Sequence, residues 1–352
     1  MTEYDIAVIA GDGIGPEVTR EAMKVLGVAG DVYGFHVRGT EYPFGTEHWL
    51  KTKELFPDKA FDEVRGMRAV YLGAIGDPRA PVGLVEFGVI MRMRVGLDLY
   101  VNLRPVRLYD ARLCPLKDKK PEDVDMVIVR ENTEDAYTAK PEFVDRGGPD
   151  EIASQPMRYT RKGTERIIRY AFELARKRNK HKKLLLIDKT NAVPAQDLWT
   201  RVFAEVAKEY PDVKTDHAYI DAACMWMVKN PEWFDVAVTP NLFGDIITDL
   251  GAMIQGGLGV AAGGNINPDP GGVSMFEPMG GSAPKYTGQN VINPIAAIAA
   301  MSMLLEHSGQ PTAGARIMKA IQHVTGTKMK SQNAGKMGYG TKEVGDLVVA
   351  AL

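Results

Sequence analysis

Asp245 and Asp249 stand four residues apart in the stretch NLFGDIITDL, directly behind the apolar run FDVAVTP. That spacing puts both carboxylates on one face of a helix, where like charges repel and cost a few tenths of a kcal/mol. Two readings are open. Either the face is solvated, or a cation neutralises the pair, and the neighbours Leu242, Phe243, Ile246, Ile247, Leu250 and Met253 weigh against a freely solvated face. Hard carboxylate oxygens suit magnesium or manganese. A further carboxylate, Asp221, sits in the apolar stretch AYIDAACMWM, where an unpartnered buried charge is costly and a shared cation would relieve it.

Arg92 and Arg94 alternate with Met91 and Met93, a pattern that predicts two guanidiniums pointing the same way. Arg104 follows YVNL and precedes a proline, and Arg130 ends the apolar run VDMVIV. Arginines gathered beside strand ends grip carboxylates through paired N–H donors. Tyr137, in RENTEDAY, and Lys189, at the end of LLLID, are the candidate acid and base. A lysine in that position is half-buried and can be pushed toward neutrality.

These residues need elements to hold them. YDIAVIAG reads as a strand, GDGIGPE as a tight turn, and the following segment as a helix with Val18, Ala22, Val25 and Leu26 on one face. The glycines at 11, 13 and 15 do not match the G-x-G-x-x-G dinucleotide turn. RAVYLGA, VDMVIVREN, KLLLIDKTN and FDVAVTPN are further strands, each ending in the polar residues where α/β proteins place their chemistry. RKGTERIIRYAFELARKR and LWTRVFAEVAKEY are amphipathic helices with solvated basic faces. The glycine- and proline-rich region from Leu258 to Pro294 reads as one long functional loop, followed by a last helix from NPIAAIAAMSMLLEH.

At 352 residues the chain exceeds the size of a single core, so two lobes and a cleft are expected. Apolar residues at 45% and charged residues at 25% are those of an ordinary globular protein. A formal charge of −2 supplies no global field for nucleic acid or an anionic membrane surface, and no apolar run is long enough to span a bilayer. Cys114 and Cys224 lack metal-site spacing and fit a reducing cytoplasm, and the first residues read as a strand rather than a signal peptide.

Taken in order, GDGIGPEV, DLYVNLRPVRL, VRENTEDAY, DKTNAVP, YIDA, NLFGDIITDLG and EPMGGSAPKYTGQNVINP resemble the metal-dependent β-decarboxylating dehydrogenases, the isocitrate/isopropylmalate dehydrogenase family, over nearly the whole chain. The resemblance implies a two-lobed α/β fold with a mixed, largely parallel sheet that is not a true Rossmann fold. Residues 1–103 and 251–352 would form the cofactor lobe, and 104–250 the substrate, metal and dimerisation lobe. It also implies that Asp221, Asp245 and Asp249 hold Mg²⁺ or Mn²⁺, and that Arg94, Arg104 and Arg130 hold the malate carboxylates. Lys189 would take the hydroxyl proton and Tyr137 would protonate the product, in a homodimer whose Lys189 and Asp221 act across the interface.

The same resemblance assigns the cofactor to Glu277, Gly281, Ser282, Ala283, Pro284, Lys285, Tyr286 and Asn293. The Lys285–Tyr286 pair is similar to that of NADP-using relatives and favours NADP over NAD, although Gly280 stands where the family usually has histidine. Val89, Ile90 and Met91 replace the polar residues of isocitrate enzymes, so the expected substrate carries an apolar group: 3-isopropylmalate, giving 2-oxoisocaproate. Phe87 replaces the glutamate typical of that branch, which keeps NADP-linked isocitrate and D-malate/tartrate oxidation as alternatives. A non-catalytic regulatory subunit is the alternative of another class, disfavoured because Tyr137, Lys189 and all three aspartates are present.

Overall fold

Val236–Thr239, Ala69–Ala74 and most of Lys183–Asp188 have no residue facing solvent, the pattern of strands covered by helices on both sides. The computed structural model describes residues 2–352 and contains twelve strands. They are β1 (Thr2–Gly11), β2 (Phe35–Glu41), β3 (Ala69–Ala74), β4 (Val101–Arg107), β5 (Asp125–Glu131), β6 (Glu142–Val144), β7 (Ile152–Ser154), β8 (Lys183–Asp188), β9 (Lys214–Tyr219), β10 (Val236–Thr239), β11 (Ala262–Ile266) and β12 (Ser274–Pro278). Ten of them form one sheet in the order β2-β1-β3-β12-β11-β4-β5-β10-β8-β9, and β6 and β7 make a separate hairpin.

The sheet is mixed and largely parallel. β2, β1, β3 and β12 run parallel, as do β5, β10, β8 and β9. Between these blocks β11 is antiparallel to both β12 and β4, and β4 is antiparallel to β5.

Here the structure corrects the sequence reading, because β11 and β12 both lie inside the supposed long loop. The reason is steric. A Cβ on Gly263 would lie 2.9 Å from Arg104 Cδ and Nε, and one on Gly264 would lie 3.0 Å from the Phe276 ring. Close neighbours exclude the branched residues by which a central strand is recognised. Ile295–His307 is also not the last helix, since Pro311–Thr327 and Thr341–Ala350 follow. That helix is apolar all round because it is enclosed, packing on β11, β12 and the helices Gly15–Tyr33 and Pro311–Thr327.

The two expected amphipathic helices form, as Arg161–Arg178 and Asp197–Ala207. Thr160 caps the first by accepting from the Gly163 N–H, and Asn179, at φ 49°, ends it in the left-handed region. No helix among the described residues is long and apolar enough to cross a membrane.

Phe172 joins these helices, its ring stacked 4.7 Å from Tyr210 and 5.4 Å from Phe203, with no exposed surface. Phe172→Ala is expected to cost about 3–5 kcal/mol of unfolding free energy. Urea denaturation checks this, and a loss below about 1 kcal/mol would show that the stack is not a cornerstone of the core.

Candidate active site

Cross-strand register assembles the centre of the site. Asn102 lies opposite Arg130 on β5 and opposite Asn265 on β11, so all three share one face of the sheet. Two residues along, Arg104 shares that face with Gly263, which is paired with Glu277 on β12. With no side chain at Gly263, the Arg104 stem crosses over β11 and brings Nη2 to 4.0 Å from Glu277 Oε1.

Arg94 enters from above. It lies on a helical run, 84–96, and its Nη2 donates to Glu277 Oε1 at 3.3 Å. Arg92 does not accompany it. In a helix, residues two apart point about 200° apart, and Arg92 turns outward to Asp58 and the Phe61 ring. The alternation seen in the sequence belongs to no strand. The same helix corrects the proposed substrate pocket, because Val89 has no exposed surface and packs in the core with Val85 and Met93. Ile90 and Met91 remain partly accessible.

Arg130 is the most deeply placed of the three cations, with 1% of its surface exposed. Its Nε and Nη2 donate to Asn241 Oδ1 at 3.0 and 2.7 Å, and its Nη1 donates to Asp245 Oδ1. Gly244, one turn into the helix Asn241–Ile254, makes room for the Arg130 stem, which a Cβ there would overlap. Burial, reinforced by Arg94, brings the Arg130 pKa down to about 10. Tyr137 donates its hydroxyl to Asp245 Oδ2 at 2.6 Å, beneath the Arg130 guanidinium. Its pKa is pushed up to about 12 by burial first and then by the Asp245 carboxylate.

Asp245 and Asp249 do lie on one helix face, and they differ. Burial works to raise the Asp245 pKa, but the Arg130 charge and the Tyr137 hydrogen bond outweigh it and leave the group below its ordinary value. Asp249 has no hydrogen-bond donor among the described residues, and burial followed by repulsion from Asp245 holds it above its ordinary value. A carboxylate pair in that condition fits a divalent cation, the case for which the spacing was singled out.

Asp221 is not part of this cluster in the single chain. Its side chain is 66% exposed at the start of the helix Ile220–Lys229, and it accepts from Lys189 Nζ at 2.7 Å. The expected penalty for burying it therefore does not arise here. That hydrogen bond holds the Asp221 carboxyl below its ordinary range. Among the described residues no three His, Cys, Asp or Glu side chains come close enough to hold a metal. The helices Ile220–Lys229 and Asn241–Ile254 pack together and expose Met225, Trp226, Val228, Ile246 and Met253, an unusually apolar surface beside both carboxylate groups.

A separate cavity of about 270 Å³ lies between the cofactor-assigned loop and the C-terminal segment, lined by Ile14, Gly256–Gly259, Gly280, Gly281, Ala283, Asn293 and Gln332–Ala334. Its glycine walls suit a flat ring, and Gln332 Nε2 is buried there without a partner, while Gln332 Oε1 accepts from Asn293 Nδ2 at 2.5 Å. These features fit an adenosine group. Ser282 lies beside the cavity, its carbonyl accepting from the Ile14 N–H at 2.8 Å and its hydroxyl bonded to the Gly76 carbonyl. Pro284, Lys285 and Tyr286 form the next turn, with Lys285 Nζ 4.7 Å above the Tyr286 ring. Glu277 does not line this cavity and faces the arginines instead, on the side where the hydride-accepting end of a cofactor would meet the substrate.

Asn102, Asn241, Gly244 and Asn265 were not singled out from sequence. For Asn102 a signal existed: an amide inside a strand as apolar as VNL must be buried, and a buried amide needs partners.

A family model described as isocitrate/isopropylmalate dehydrogenase matches residues 5–348. The 3-isopropylmalate dehydrogenase of Thermobifida fusca is 46% identical over 97% of this chain and 95% of its own length. That of Corynebacterium glutamicum is 47% identical over 99% of both chains. Among solved structures, isocitrate dehydrogenase from Methylococcus capsulatus superposes with a TM-score of 0.88 at 36% identity, covering 99% of each chain.

Next to Arg130, the buried Glu131 carboxylate accepts from the Thr133 N–H and hydroxyl and the Glu134 N–H, shaping the turn that leads to Tyr137. Burial nevertheless pushes its pKa from 4.5 up to about 7. A folded pKa above the unfolded one means stability that is full below about pH 4.5 and lost as pH rises through 7, on the order of 3 kcal/mol in all. Glu131→Gln should lack this loss, so urea unfolding across that window should show the variant gaining on the parent. A constant difference at every pH would refute the assignment.

Proposed function

The chain belongs to the isocitrate/isopropylmalate dehydrogenase family, and from that premise we propose that it oxidises and decarboxylates 3-isopropylmalate to 2-oxoisocaproate. It is a decarboxylating dehydrogenase acting on a CH–OH group. The observation that carries the substrate reading is the convergence of Arg94, Arg104 and Arg130 on one sheet face beside Tyr137 and the Asp245–Asp249 pair. Three buried guanidiniums suit a hydroxy-dicarboxylate.

In this reading the arginines fix the two carboxylates and exclude water from them. Lys189 takes the hydroxyl proton as the hydride leaves, and Tyr137, held protonated by its raised pKa, delivers a proton to carbon after carbon dioxide departs. Asp245 and Asp249, with Asp221 from a second copy, are the residues we assign to Mg²⁺ or Mn²⁺. When bound, the cation would supply Lewis-acid polarisation of the hydroxyl and adjacent carboxylate, and the nicotinamide would supply the hydride acceptor.

Since Lys189 pairs with Asp221 at a distance from the arginines' cluster, we propose a homodimer in which each chain lends that pair to the other's site. The apolar face formed by Met225, Trp226, Ile246 and Met253 is the surface available for it. We assign residues 1–103 and 251–352 to the cofactor lobe, 104–250 to the other, and a cytoplasmic setting to the whole. Ile90, Met91 and the 57% exposed Phe87 supply the apolar surface for the substrate's side group.

Lys285 stacked on Tyr286 offers a cation and a phenol to a 2′-phosphate, which supports NADP over NAD. The same pair favours a second reading, NADP-linked isocitrate oxidation, over a D-malate/tartrate one. Comparing 3-isopropylmalate, isocitrate, D-malate and tartrate with each nicotinamide and Mn²⁺ separates these: 3-isopropylmalate should give the highest kcat/KM, and a win by isocitrate would overturn the apolar-pocket assignment. Lys285→Asp should lower the NADP-to-NAD preference by at least about tenfold, and an unchanged ratio would remove Lys285 from cofactor selection.

A further inference from the structure

Three asparagines with no exposed surface meet at the antiparallel crossing: Asn102 on β4, Asn132 just after β5 and Asn265 on β11. Asn102 Nδ2 donates to Asn265 Oδ1 at 2.8 Å and to Asn132 Oδ1 at 3.2 Å. Asn132 Nδ2 donates to Asn265 Oδ1 at 3.0 Å and to the Leu99 carbonyl at 2.8 Å. At one end of this network Asn102 Oδ1 accepts from Arg104 Nε at 2.5 Å. At the other, Asn265 Nδ2 donates to Glu277 Oε1 at 2.8 Å, the oxygen that Arg94 Nη2 reaches at 3.3 Å.

The ends determine the direction of every bond between them. A guanidinium can only donate and a carboxylate can only accept. Arg104 therefore turns the Asn102 carbonyl toward itself, which turns the Asn102 amide toward Asn265 and the Asn265 amide toward Glu277. Glu277 in turn is held where it anchors Arg94. The circuit begins and ends on the two guanidiniums, and it leaves Arg94 Nε buried with no acceptor among the described residues.

We propose that Asn102 and Asn265 are positioning residues, whose polar relay through Glu277 sets Arg94 and Arg104 at the separation in which they receive one dicarboxylate. This rests on the reading that these arginines hold the substrate. The relay touches neither the adenosine cavity nor Tyr137, so its effect is confined to dicarboxylate binding.

The test uses the full-length protein, with malonate as a bare dicarboxylate probe followed by calorimetry, and with KM and kcat for the best hydroxy acid. Asn265→Leu keeps the branched heavy-atom skeleton and removes both hydrogen-bonding roles. It should weaken malonate and raise the hydroxy-acid KM by about tenfold, with the cofactor KM moved less than about twofold. Asn265→Asp keeps the acceptor and loses the donor until it binds a proton. Paired with Glu277 it should share one proton, so that relative to the parent it binds malonate normally near about pH 6 and as poorly as Asn265→Leu near about pH 8.5.

Malonate affinity within about twofold of the parent in Asn265→Leu, a cofactor KM that rises in step, or an Asn265→Asp defect independent of pH would each overturn the relay. The Asp variant carries the test by itself if the Leu variant does not fold. A parent protein that neither binds malonate nor turns over any hydroxy acid would instead bring down the substrate reading, and the relay with it.

Discussion

The missing side chain at Gly263 is the constraint on which the site depends. It sits where β11 passes between β12 and β4, and the Arg104 stem occupies the space that a Cβ would fill. Only because of that gap can an arginine on β4 reach a glutamate on β12 across the strand between them. The sheet reverses direction at this point as well. By register, β1, β3 and β12 end at one edge, while β5, β10, β8 and β9 end at the other. Chemistry drawn from both sets of strand ends must therefore meet over the face of the sheet, and the reversal is where it meets.

Burying three guanidiniums is costly unless each is paired, and a pair that is broken leaves a charge worse off than one that was never buried. The structure meets this with acceptors of unequal firmness. Arg130 keeps two bonds to Asn241 whatever happens at Asp245, and Arg104 keeps Asn102. Among the described residues Arg94 has only Glu277 at 3.3 Å as a side-chain acceptor, and its Nε is unpartnered. The cation with the weakest hold is thus the one with most to gain from an incoming carboxylate, while its neighbours stay fixed and define the geometry.

The legibility of the sequence followed its local physics. Parallel strands buried on both faces show as runs of Val, Ile and Leu, and the helix Arg161–Arg178 carries its own cap and amphipathic period, so these were readable. β11 was not, because a strand selected for glycine by its neighbours loses the branched residues that signal a strand. Arg92 and Arg94 misled for a related reason: two-residue alternation over so short a span cannot tell strand from helix, and a five-residue π-turn, Phe87–Met91, precedes them. Asp245 and Asp249 were found because four-residue spacing is a local fact. The exposure of Asp221 was not, since of the apolar residues around it Ala223 and Met227 enter the core while Tyr219, Met225 and Trp226 face outward.

Asp245 links Tyr137, the proposed acid, to the carboxylate pair. Both of its oxygens are engaged, one by Arg130 and the other by Tyr137. The two donors are not equivalent, because Arg130 has Asn241 as a second acceptor and Tyr137 has no other hydrogen bond among the described residues. Any movement of the Asp245 side chain toward Asp249 therefore leaves Arg130 anchored and releases the phenol. Since burial and the carboxylate together raise the Tyr137 pKa to about 12, the phenol leaves that bond still carrying its proton. A group that acts once as an acid needs that condition: it is protonated at rest, hydrogen-bonded to an anion, and set free by the rearrangement that occupies the anion elsewhere.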